Sequence, residues 1–246
     1  MPVANPDEAK NEIRHRVWDL LTEHRAAQPD VHGSIPNFVG AELAAQRLAE
    51  LSVWKLARVV KAVPDKPQAP VRVLGLQQGK LLYVAVPKIA AEKPFYELDP
   101  AKLPVSPEEA AVPKKAALFA RTVDTDEMPK IDLLVCGTVA VNRRGVRLGK
   151  GAGYADIEVA LLQEAGLISE ATTIVTTVHD LQVVEGDLPE TSHDFSVDLI
   201  VTPTQVIECG PPRRPAGILW SELDPAKIAA IPALASRAAQ RNVSGL

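Results

Sequence analysis

Three glycines alternate with other residues at Gly149, Gly151 and Gly153. An apolar run precedes them at 131–136, and an amphipathic stretch follows them at 157–165. Strand, glycine loop and helix form an arrangement that binds phosphate. Glycine lets backbone amides approach the anion, and a helix N-terminus offers unpaired N–H groups. The loop therefore predicts a phosphate-containing ligand, such as a nucleotide.

Basic residues accompany these glycines, although the whole chain is acidic, with a formal net charge of −4. Arg143, Arg144, Arg147 and Lys150 fall within eight residues. An acidic chain is not expected to present a broad surface for nucleic acid. The cluster instead predicts a local anion site beside the loop.

Two carboxylates are candidates for holding a divalent cation against bound phosphate. Asp156 follows the glycine loop, and Asp194 follows His193 shortly before an apolar run at 197–202. Magnesium typically takes one or two protein carboxylates plus phosphate oxygens, so Asp156 and Asp194 could share one ion. In the alternative interpretation, Asp194 caps a turn and His193 hydrogen-bonds to the backbone.

Several familiar signatures are absent. The stretch Gly149-Lys150-Gly151 lacks the hydroxyl residue that ends a Walker motif, and its glycine spacing is G-x-G-x-G, not G-x-G-x-x-G. Cys136 and Cys209 lie far apart without metal-ligand spacing, which favours a reduced, cytoplasmic setting. No apolar run approaches the roughly 20 residues that span a bilayer, so no membrane partner is expected.

The first helix has clear start signals, with Asn5 as a cap and Pro6 at its first position. Lys10 and Arg14 are four residues apart and therefore project from one face of this helix. Taken alone, they could be two solvated cations. If the predicted anion lies nearby, the same spacing favours a pair of phosphate ligands.

Further along the chain, β-rich runs alternate with helical ones. Strands are expected at 71–76, 81–86, 131–136, 173–178 and 197–202, and helices at 41–51, 107–116, 154–165 and 225–235. This order predicts an α/β fold with a mainly parallel sheet and helices on both faces, whose ligands bind at the carboxyl ends of the strands. The length suits one domain over 1–246, in which 211–246 is a proline-rich linker and a small C-terminal helix.

Separated motifs together resemble the 5-formyltetrahydrofolate cyclo-ligase family, also called methenyltetrahydrofolate synthetases. They are Lys10-x-x-Ile13-Arg14, Val86-Pro87, Arg147-Leu148-Gly149-x-Gly151-x-Gly153-Tyr154-x-Asp156, Gln182, Pro189 and His193-Asp194. The likeness spans roughly residues 7 to 205. It implies a three-layer cyclo-ligase architecture of the NagB/RpiA-like type.

Other stretches resemble one branch of that family, whose animal members carry an additional RNA-recognition domain. They are Ile35-Pro36-Asn37-Phe38, Thr176-x-Val178-His179-Asp180 and Gly217-Ile218-x-Trp220. The aromatic motifs of an RNA-recognition domain are not present in this sequence. No nucleic-acid partner is therefore expected from this chain.

The resemblance implies an ATP- and magnesium-dependent ligase that converts 5-formyltetrahydrofolate, or a related folate-like small molecule, to 5,10-methenyltetrahydrofolate. It assigns ATP binding to Lys10, Arg14, Gly149, Gly151 and Gly153. It assigns catalysis to Arg147, Lys150 and Tyr154, and magnesium to Asp156 and Asp194.

The sequence departs from the family pattern at three places. Ala155 and Ile157 stand where the typical enzyme has tyrosine and arginine, and Val53–Pro64 contains no acidic residue where a folate-contacting glutamate is expected. These changes leave the nucleotide half of the pattern more complete than the folate half. A nucleotide-binding module that acts through partners is therefore the alternative to a ligase. The glycine spacing disfavours a third class, the dinucleotide-dependent oxidoreductases.

Overall fold

The computed structural model describes residues 5–244, so the predicted domain limits at 1 and 246 lie outside the described residues. The helices are α1 (Pro6–Glu23), α2 (Ala41–Glu50), α3 (Ser52–Leu56), α4 (Ala69–Gln77), α5 (Pro107–Ala110), α6 (Pro113–Ala116), α7 (Tyr154–Glu164), α8 (Pro225–Ala230) and α9 (Pro232–Ser244). The strands are β1 (Val59–Ala62), β2 (Leu81–Ala85), β3 (Phe95–Leu98), β4 (Arg121–Val123), β5 (Leu133–Cys136), β6 (Ala140–Asn142), β7 (Arg147–Leu148), β8 (Thr173–Thr177), β9 (Val183–Val184), β10 (Leu199–Val201) and β11 (Val206–Glu208).

Eight of these strands form one sheet in the order β11-β10-β8-β5-β1-β2-β3-β4. The five central strands, from β10 to β2, pair in parallel. Strand β11 at one edge and strands β3 and β4 at the other are antiparallel. The sheet confirms the predicted mainly parallel α/β fold.

Helices cover both faces of the sheet. Helices α2, α3 and α4 pack on one face through a cluster that includes Leu48, Trp54 and Leu76. Helix α7 packs on the other face through Val159 and Leu162. Buried parallel strands need apolar residues on both sides, which explains the nearly continuous apolar runs in the central strands.

A small second sheet, in the order β7-β6-β9, stands beside the main one. Strands β6 and β7 are antiparallel neighbours, and the glycine loop leaves the end of β7 and enters α7. Helix α1 packs on this small sheet, with Val17, Trp18 and Leu21 in a cluster that also holds Ala140 and Leu148. This packing fixes α1 next to the glycine loop.

The predicted start of α1 is confirmed, since the Asn5 side chain accepts a hydrogen bond from the Asp7 amide at 3.1 Å. The predicted helix at 154–165 and the strands at 131–136, 173–178 and 197–202 are also found, within a few residues. Among residues 5–244, no helix combines the length and the apolar character needed to cross a membrane.

The predicted strand at 71–76 is wrong, because these residues lie in helix α4. Pro70 occupies the first turn, and buried positions recur at helical spacing at Val71, Arg72, Gly75 and Leu76. The Arg72 guanidinium donates to the backbone oxygens of Asp65 and Ala111, both at 2.9 Å. Tertiary packing of this kind outweighs the local β preference of valine.

Seven strands were not predicted from the sequence, namely β1, β3, β4, β6, β7, β9 and β11. Strand β1 lies at the centre of the sheet, but Lys61 interrupts its apolar run. The predicted helices at 107–116 and 225–235 are each two helices. The breaks lie at Val112 and Ile231, each of which precedes a proline and adopts an extended conformation.

Candidate functional site

A cavity of about 760 Å³ opens at the carboxyl ends of β1, β2 and β5. Its wall includes the residues that directly follow these strands, namely 63–65, 86–88 and Gly137. The sheet extends from β1 through β2 on one side and through β5 on the other. The strand order therefore changes direction at β1. Open α/β sheets bind ligands at such a switch point. The volume lies in the range of small-molecule sites, roughly 300–1,000 Å³.

All of the residues to which the family resemblance assigns a role line this one cavity. They are Lys10, Arg14, Arg147, Gly149, Lys150, Gly151, Gly153, Tyr154, Asp156 and Asp194. They come from α1, from the segment that joins β7 to α7, and from the turn before β10. The fold thus joins segments that are far apart in sequence, while the roles of the individual residues remain predictions.

The glycine loop turns sharply before α7. Gly151 has a φ of +97° and Gly153 a φ of +70°, a region that side chains with a Cβ rarely adopt. Gly153 is the N-cap of α7 and has no side chain to accept from the first-turn amides. Because Tyr154 and Asp156 of that turn line the cavity, the positive end of the helix dipole lies beside it.

Arg14 binds the backbone of the glycine loop. Its Nε donates to the Gly149 carbonyl oxygen at 2.7 Å, and its Nη1 donates to Asn11 Oδ1 at 2.7 Å. Burial lowers the pKa of the guanidinium, which remains a cation at neutral pH. Lys10 and Arg14 are only 5% and 8% exposed, so the interpretation of two solvated cations is wrong.

Lys10 forms an ion pair with Asp194 at 2.5 Å. The same carboxylate oxygen, Oδ2, accepts from the Thr191 amide at 2.6 Å and from the Thr191 hydroxyl at 2.9 Å. Burial alone would raise the pKa of Asp194, but the hydrogen bonds from Lys10 and Thr191 outweigh it and lower the pKa. Asp194 therefore closes the turn at 191–194, as the alternative interpretation expected, and also anchors Lys10.

Arg147 is the buried cation of β7. Its Nη2 donates to Asp156 Oδ1 at 3.3 Å, and its Nη1 donates to the Gly137 carbonyl oxygen at 3.3 Å. The guanidinium carbon lies 4.4 Å from the centroid of the Phe195 ring. A guanidinium held in a plane between a ring and a carboxylate is both a packing element and a fixed charge at the cavity.

The two predicted magnesium residues each keep an oxygen available. Asp156 uses Oδ1 with Arg147, and Asp194 uses Oδ2 with Lys10. Within the described chain, the other oxygen of Asp194 meets only His193 Nε2, at 3.9 Å. No group of three or more metal-ligating side chains gathers among residues 5–244. This donor set suits an ion that takes one or two carboxylates and completes its shell with phosphate oxygens and water.

Three acidic residues of the cavity lining, Asp7, Asp65 and Glu158, were not predicted as site residues. Asp65 pairs with Lys150 at 3.4 Å near the cavity mouth. Glu158 lies on the buried side of α7 and forms an ion pair with Lys61 of β1. The signal for Asp65 was its place directly after the apolar run of β1, and the signal for Glu158 was a charge flanked by Ile157 and Val159.

The predicted cluster of four basic residues divides into two groups. Arg147 and Lys150 line the cavity. Arg143 and Arg144 do not line it and form ion pairs with Glu185 at 3.7 Å and Asp187 at 2.7 Å. They lie in the turn of the β6–β7 hairpin, which directs them away from the loop.

The cavity lining also includes three exposed lysines, Lys66, Lys88 and Lys114. None of the three forms an ion pair within residues 5–244. Lys88 has a φ of +58°, an uncommon conformation for a residue with a Cβ. These three lysines therefore bring positive charge to the cavity that no ion pair within residues 5–244 neutralises.

The two departures from the family motif have different surroundings. Ala155 lines the cavity. Ile157 faces away from it and is buried in a cluster with Leu161, Ile218 and Ile231. An arginine at position 157 would have to place its charge in that apolar cluster, which explains why an apolar residue occupies this position here.

The two cysteines do not contribute a nucleophile. Cys136 and Cys209 are not bonded to each other. Burial raises the pKa of the Cys136 thiol, and burial together with Asp198 raises that of Cys209 to about 11. A thiol with a raised pKa is protonated at neutral pH and unreactive.

Comparison with known proteins shows which family the chain matches. Residues 6–203 match the model of the 5-formyltetrahydrofolate cyclo-ligase family. Two curated relatives are the methenyltetrahydrofolate synthase domain-containing proteins of Mus musculus, 39% identical over 234 residues, and of Bos taurus, 37% identical over 245 residues. The alignments cover 92% and 96% of this chain but 62% and 64% of those proteins. The chain thus spans somewhat less than two thirds of the length of the relatives it matches.

Among solved structures, the chain is similar to the NMR structure of 5,10-methenyltetrahydrofolate synthetase from Aquifex aeolicus. The TM-score is 0.52 at 21% sequence identity, and the match covers 84% of this chain and 93% of the other. This likeness supports the cyclo-ligase fold predicted from the sequence.

Proposed function

Because the chain belongs to the 5-formyltetrahydrofolate cyclo-ligase family, we propose that it is an ATP- and magnesium-dependent cyclo-ligase. Its substrate is 5-formyltetrahydrofolate or a related small molecule, and its product is the 5,10-methenyl form. One observation carries the proposal. The glycine loop, the N-terminus of α7 and the cations of α1 and β7 converge on a single cavity at the switch point of the sheet.

In the proposed reaction, the formyl oxygen attacks the γ-phosphorus of ATP, and ADP leaves with the electrons of the broken P–O bond. The second folate nitrogen then attacks the activated formyl carbon and loses its proton, and inorganic phosphate leaves. Such transfers depend on positioning and on stabilising negative charge at the phosphoryl oxygens. Lys150 supplies a mobile cation at the cavity mouth, and Arg147 supplies a fixed one.

Asp156 and Asp194 are the residues that would hold magnesium, which when bound neutralises charge on phosphate oxygens. Both carboxylates are already tied to a cation, at 3.3 Å for Asp156 and 2.5 Å for Asp194. These pairs orient the carboxylates before any ligand arrives. Such preorganisation reduces the cost of binding.

Three exposed lysines of the cavity support an acidic second ligand. Lys66, Lys88 and Lys114 bring positive charge to the cavity lining, and Val86 and Val112 belong to the same lining. Folates combine a flat ring system with glutamate carboxylates, which matches a lining that combines apolar residues with cations.

The unbonded cysteines support the predicted cytoplasmic location, where thiols stay reduced.

A second candidate function is a nucleotide-binding module without turnover. The observation that favours it is at the loop, where Ile157 packs in an apolar cluster and contributes no guanidinium to the phosphate region. Such a module would bind ATP through the same loop and act through a partner.

The test is to mix the purified chain with ATP, magnesium and 5-formyltetrahydrofolate and follow the near-ultraviolet absorbance of the methenyl product together with ADP release. We expect both signals to appear, and to be strongly reduced in Lys150→Met. The exposed Lys130→Met variant, remote in sequence from the loop, is the matched control and should retain full activity. ATP binding without product would favour the binding module. Absence of ATP binding would contradict both candidates.

A further inference from the structure

The C-terminal segment, defined here as residues 217–235, follows the part of the chain that matches the family model, residues 6–203. It nevertheless reaches the candidate site at two points. Lys227 of α8 contacts the glycine loop, and Glu222 contacts the turn that carries Asp194. Two residues five positions apart thus touch both sides of the proposed nucleotide site.

Lys227 lies against three consecutive positions of the loop and of α7. Its ammonium donates a hydrogen bond to the Ala152 carbonyl oxygen. The same Nζ lies 5.1 Å from the centroid of the Tyr154 ring, a cation–π distance. A Cβ added at Gly153 would come within 3.1 Å of it. The lysine therefore fixes both the loop backbone and the aromatic ring that lines the cavity.

Glu222 holds the other side of the site. The Ser192 hydroxyl donates to its carboxylate, and His193 Nδ1 lies 3.7 Å from the same oxygen. These residues directly precede Asp194, which binds Lys10. The C-terminal segment is therefore linked to the proposed magnesium side as well as to the loop.

The segment is anchored by packing. Ile218, Ile231 and Leu234 share a buried cluster with Ile157 and Leu161 of α7. The Ile218 amide also donates to the Glu164 carboxylate at 3.2 Å. The Asp224 side chain caps α8 by accepting from the Ala226 amide at 2.8 Å. Lys227 is thus presented from a fixed helix and not from a loose tail.

The hydrogen bond from Lys227 to the Ala152 carbonyl oxygen also constrains the direction of a neighbouring loop amide. In a trans peptide the C=O and the following N–H point in opposite directions. Arg14 binds the carbonyl of Gly149 and Lys227 binds the carbonyl of Ala152. The N–H groups of Lys150 and Gly153 must then point away from these two cations. Carbonyl oxygens repel an anion and amides attract it, so holding the carbonyls prepares the loop for phosphate.

We propose that Lys227 is a positioning residue of the phosphate-binding loop and that the C-terminal segment completes the site. The identity of the anion as ATP rests on the proposed function. The positioning of the loop by Lys227 does not, because both of its contacts are made to the protein itself.

The test compares Lys227→Met, which keeps the length of the stem without the charge, with Lys227→Arg, which keeps the charge. Lys55→Met, an exposed lysine of α3, is the matched control. Hydrogen exchange of the peptide spanning 149–156 is measured on the full chain without ligand, and magnesium-ATP binding is measured by calorimetry. We expect loop exchange about tenfold faster and ATP binding about tenfold weaker in Lys227→Met, as expected for loss of one charged hydrogen bond. Lys227→Arg should restore both, and Lys55→Met should change neither.

Loop hydrogen exchange tests the positioning role of Lys227, and ATP binding tests the proposed function. Unchanged loop exchange in Lys227→Met would overturn the positioning role, whatever happens to ATP affinity. Faster loop exchange in a protein that binds no ATP even as the wild type would leave the positioning role intact and reject the proposed function. If Lys227→Met lowers the melting temperature, the same comparison is made with Lys227→Gln, and exchange faster only in the loop peptide is the supporting result.

Discussion

Lys61 on β1 and Glu158 on α7 form an ion pair that is nearly closed to solvent beneath the candidate cavity. Their side chains are 1% and 6% exposed. Glu158 also lines the cavity wall, so the pair joins the central strand of the sheet to the helix that receives the glycine loop. The pair therefore belongs both to the core and to the site.

Breaking this pair should be costly, because the remaining charge would be buried without a partner. We predict that Glu158→Leu lowers the free energy of unfolding by about 3–5 kcal/mol. The double variant Lys61→Met/Glu158→Leu should recover most of that loss, since two apolar residues of similar size remove both charges. Urea denaturation of the two single variants and the double variant measures the coupling. A double variant as unstable as the single ones would show that the charges themselves are needed.

Arg147 and Lys150 should respond differently to substitution, although both are proposed to supply positive charge to the phosphates of ATP. The side chain of Arg147 is 2% exposed and packs on Phe195, whereas that of Lys150 is 43% exposed. Arg147→Ala should therefore weaken ATP binding and also lower the melting temperature, because packing is lost with the charge. Lys150→Ala should weaken ATP binding and leave the melting temperature within about 2 °C. Calorimetry with ATP and thermal unfolding together test this, and unchanged ATP affinity in both variants would reject the assignment.

The Lys10–Asp194 pair predicts a specific pH dependence of stability. The pKa of Asp194 is lowered in the folded protein, because the hydrogen bonds from Lys10 and Thr191 outweigh the effect of burial. A lowered carboxyl pKa contributes stability above the unfolded-state pKa, and this contribution is lost as pH falls through the folded-state pKa.

Lys10→Met should therefore be less stable than the wild type at neutral pH, and the difference should shrink as the solution becomes strongly acidic. Without the ammonium, burial dominates and the pKa of Asp194 should rise. Urea unfolding across a pH series measures the difference, with the exposed Lys130→Met variant as control. A difference that stays constant down to the acidic end would show that Lys10 stabilises the fold by packing alone.

The exposed cavity lysines Lys66, Lys88 and Lys114 should affect the second ligand and not the nucleotide. We predict that replacing Lys66, Lys88 and Lys114 together by methionine raises the KM for the folate substrate about tenfold and leaves kcat and ATP affinity nearly unchanged. Their ammonium groups have no internal partner within residues 5–244, so removing them should not destabilise the fold. The wild-type KM should also rise with salt concentration, and the variant should lose this dependence. A loss of ATP affinity as large as the rise in folate KM would show that these lysines bind the nucleotide as well.

Much of the candidate site was visible in the sequence because its signals are local. The spacing of Gly149, Gly151 and Gly153 between a strand and a helix predicts a phosphate-binding loop, and two of these glycines have positive φ. The helix that carries Lys10 and Arg14 was predicted from Asn5 as its cap and Pro6 at its first position. The gathering of these residues at one cavity also agrees with the resemblance to the family.

Other features could not be predicted, because they depend on packing between distant segments. The run at 71–76 has a local β preference but folds as α4, since the buried Arg72 meets backbone oxygens of residues far along the chain. Strand β1 is central although Lys61 interrupts its apolar run, because Glu158 of α7 neutralises that charge. Neither Lys61 nor Glu158 indicates this strand in the sequence, because their pairing is known only from the tertiary structure.

The types of the reactive residues, the glycine loop and the alternation of strands and helices are properties of local sequence. They follow from the backbone preferences of neighbouring residues. Which cation meets which carboxylate or carbonyl depends instead on the tertiary structure. It pairs Lys10 with Asp194 and brings Lys227 to Ala152, contacts that span 184 and 75 residues of sequence. Charge pairing acts through space, so its partners are defined only once the sheet and its covering helices bring these segments together.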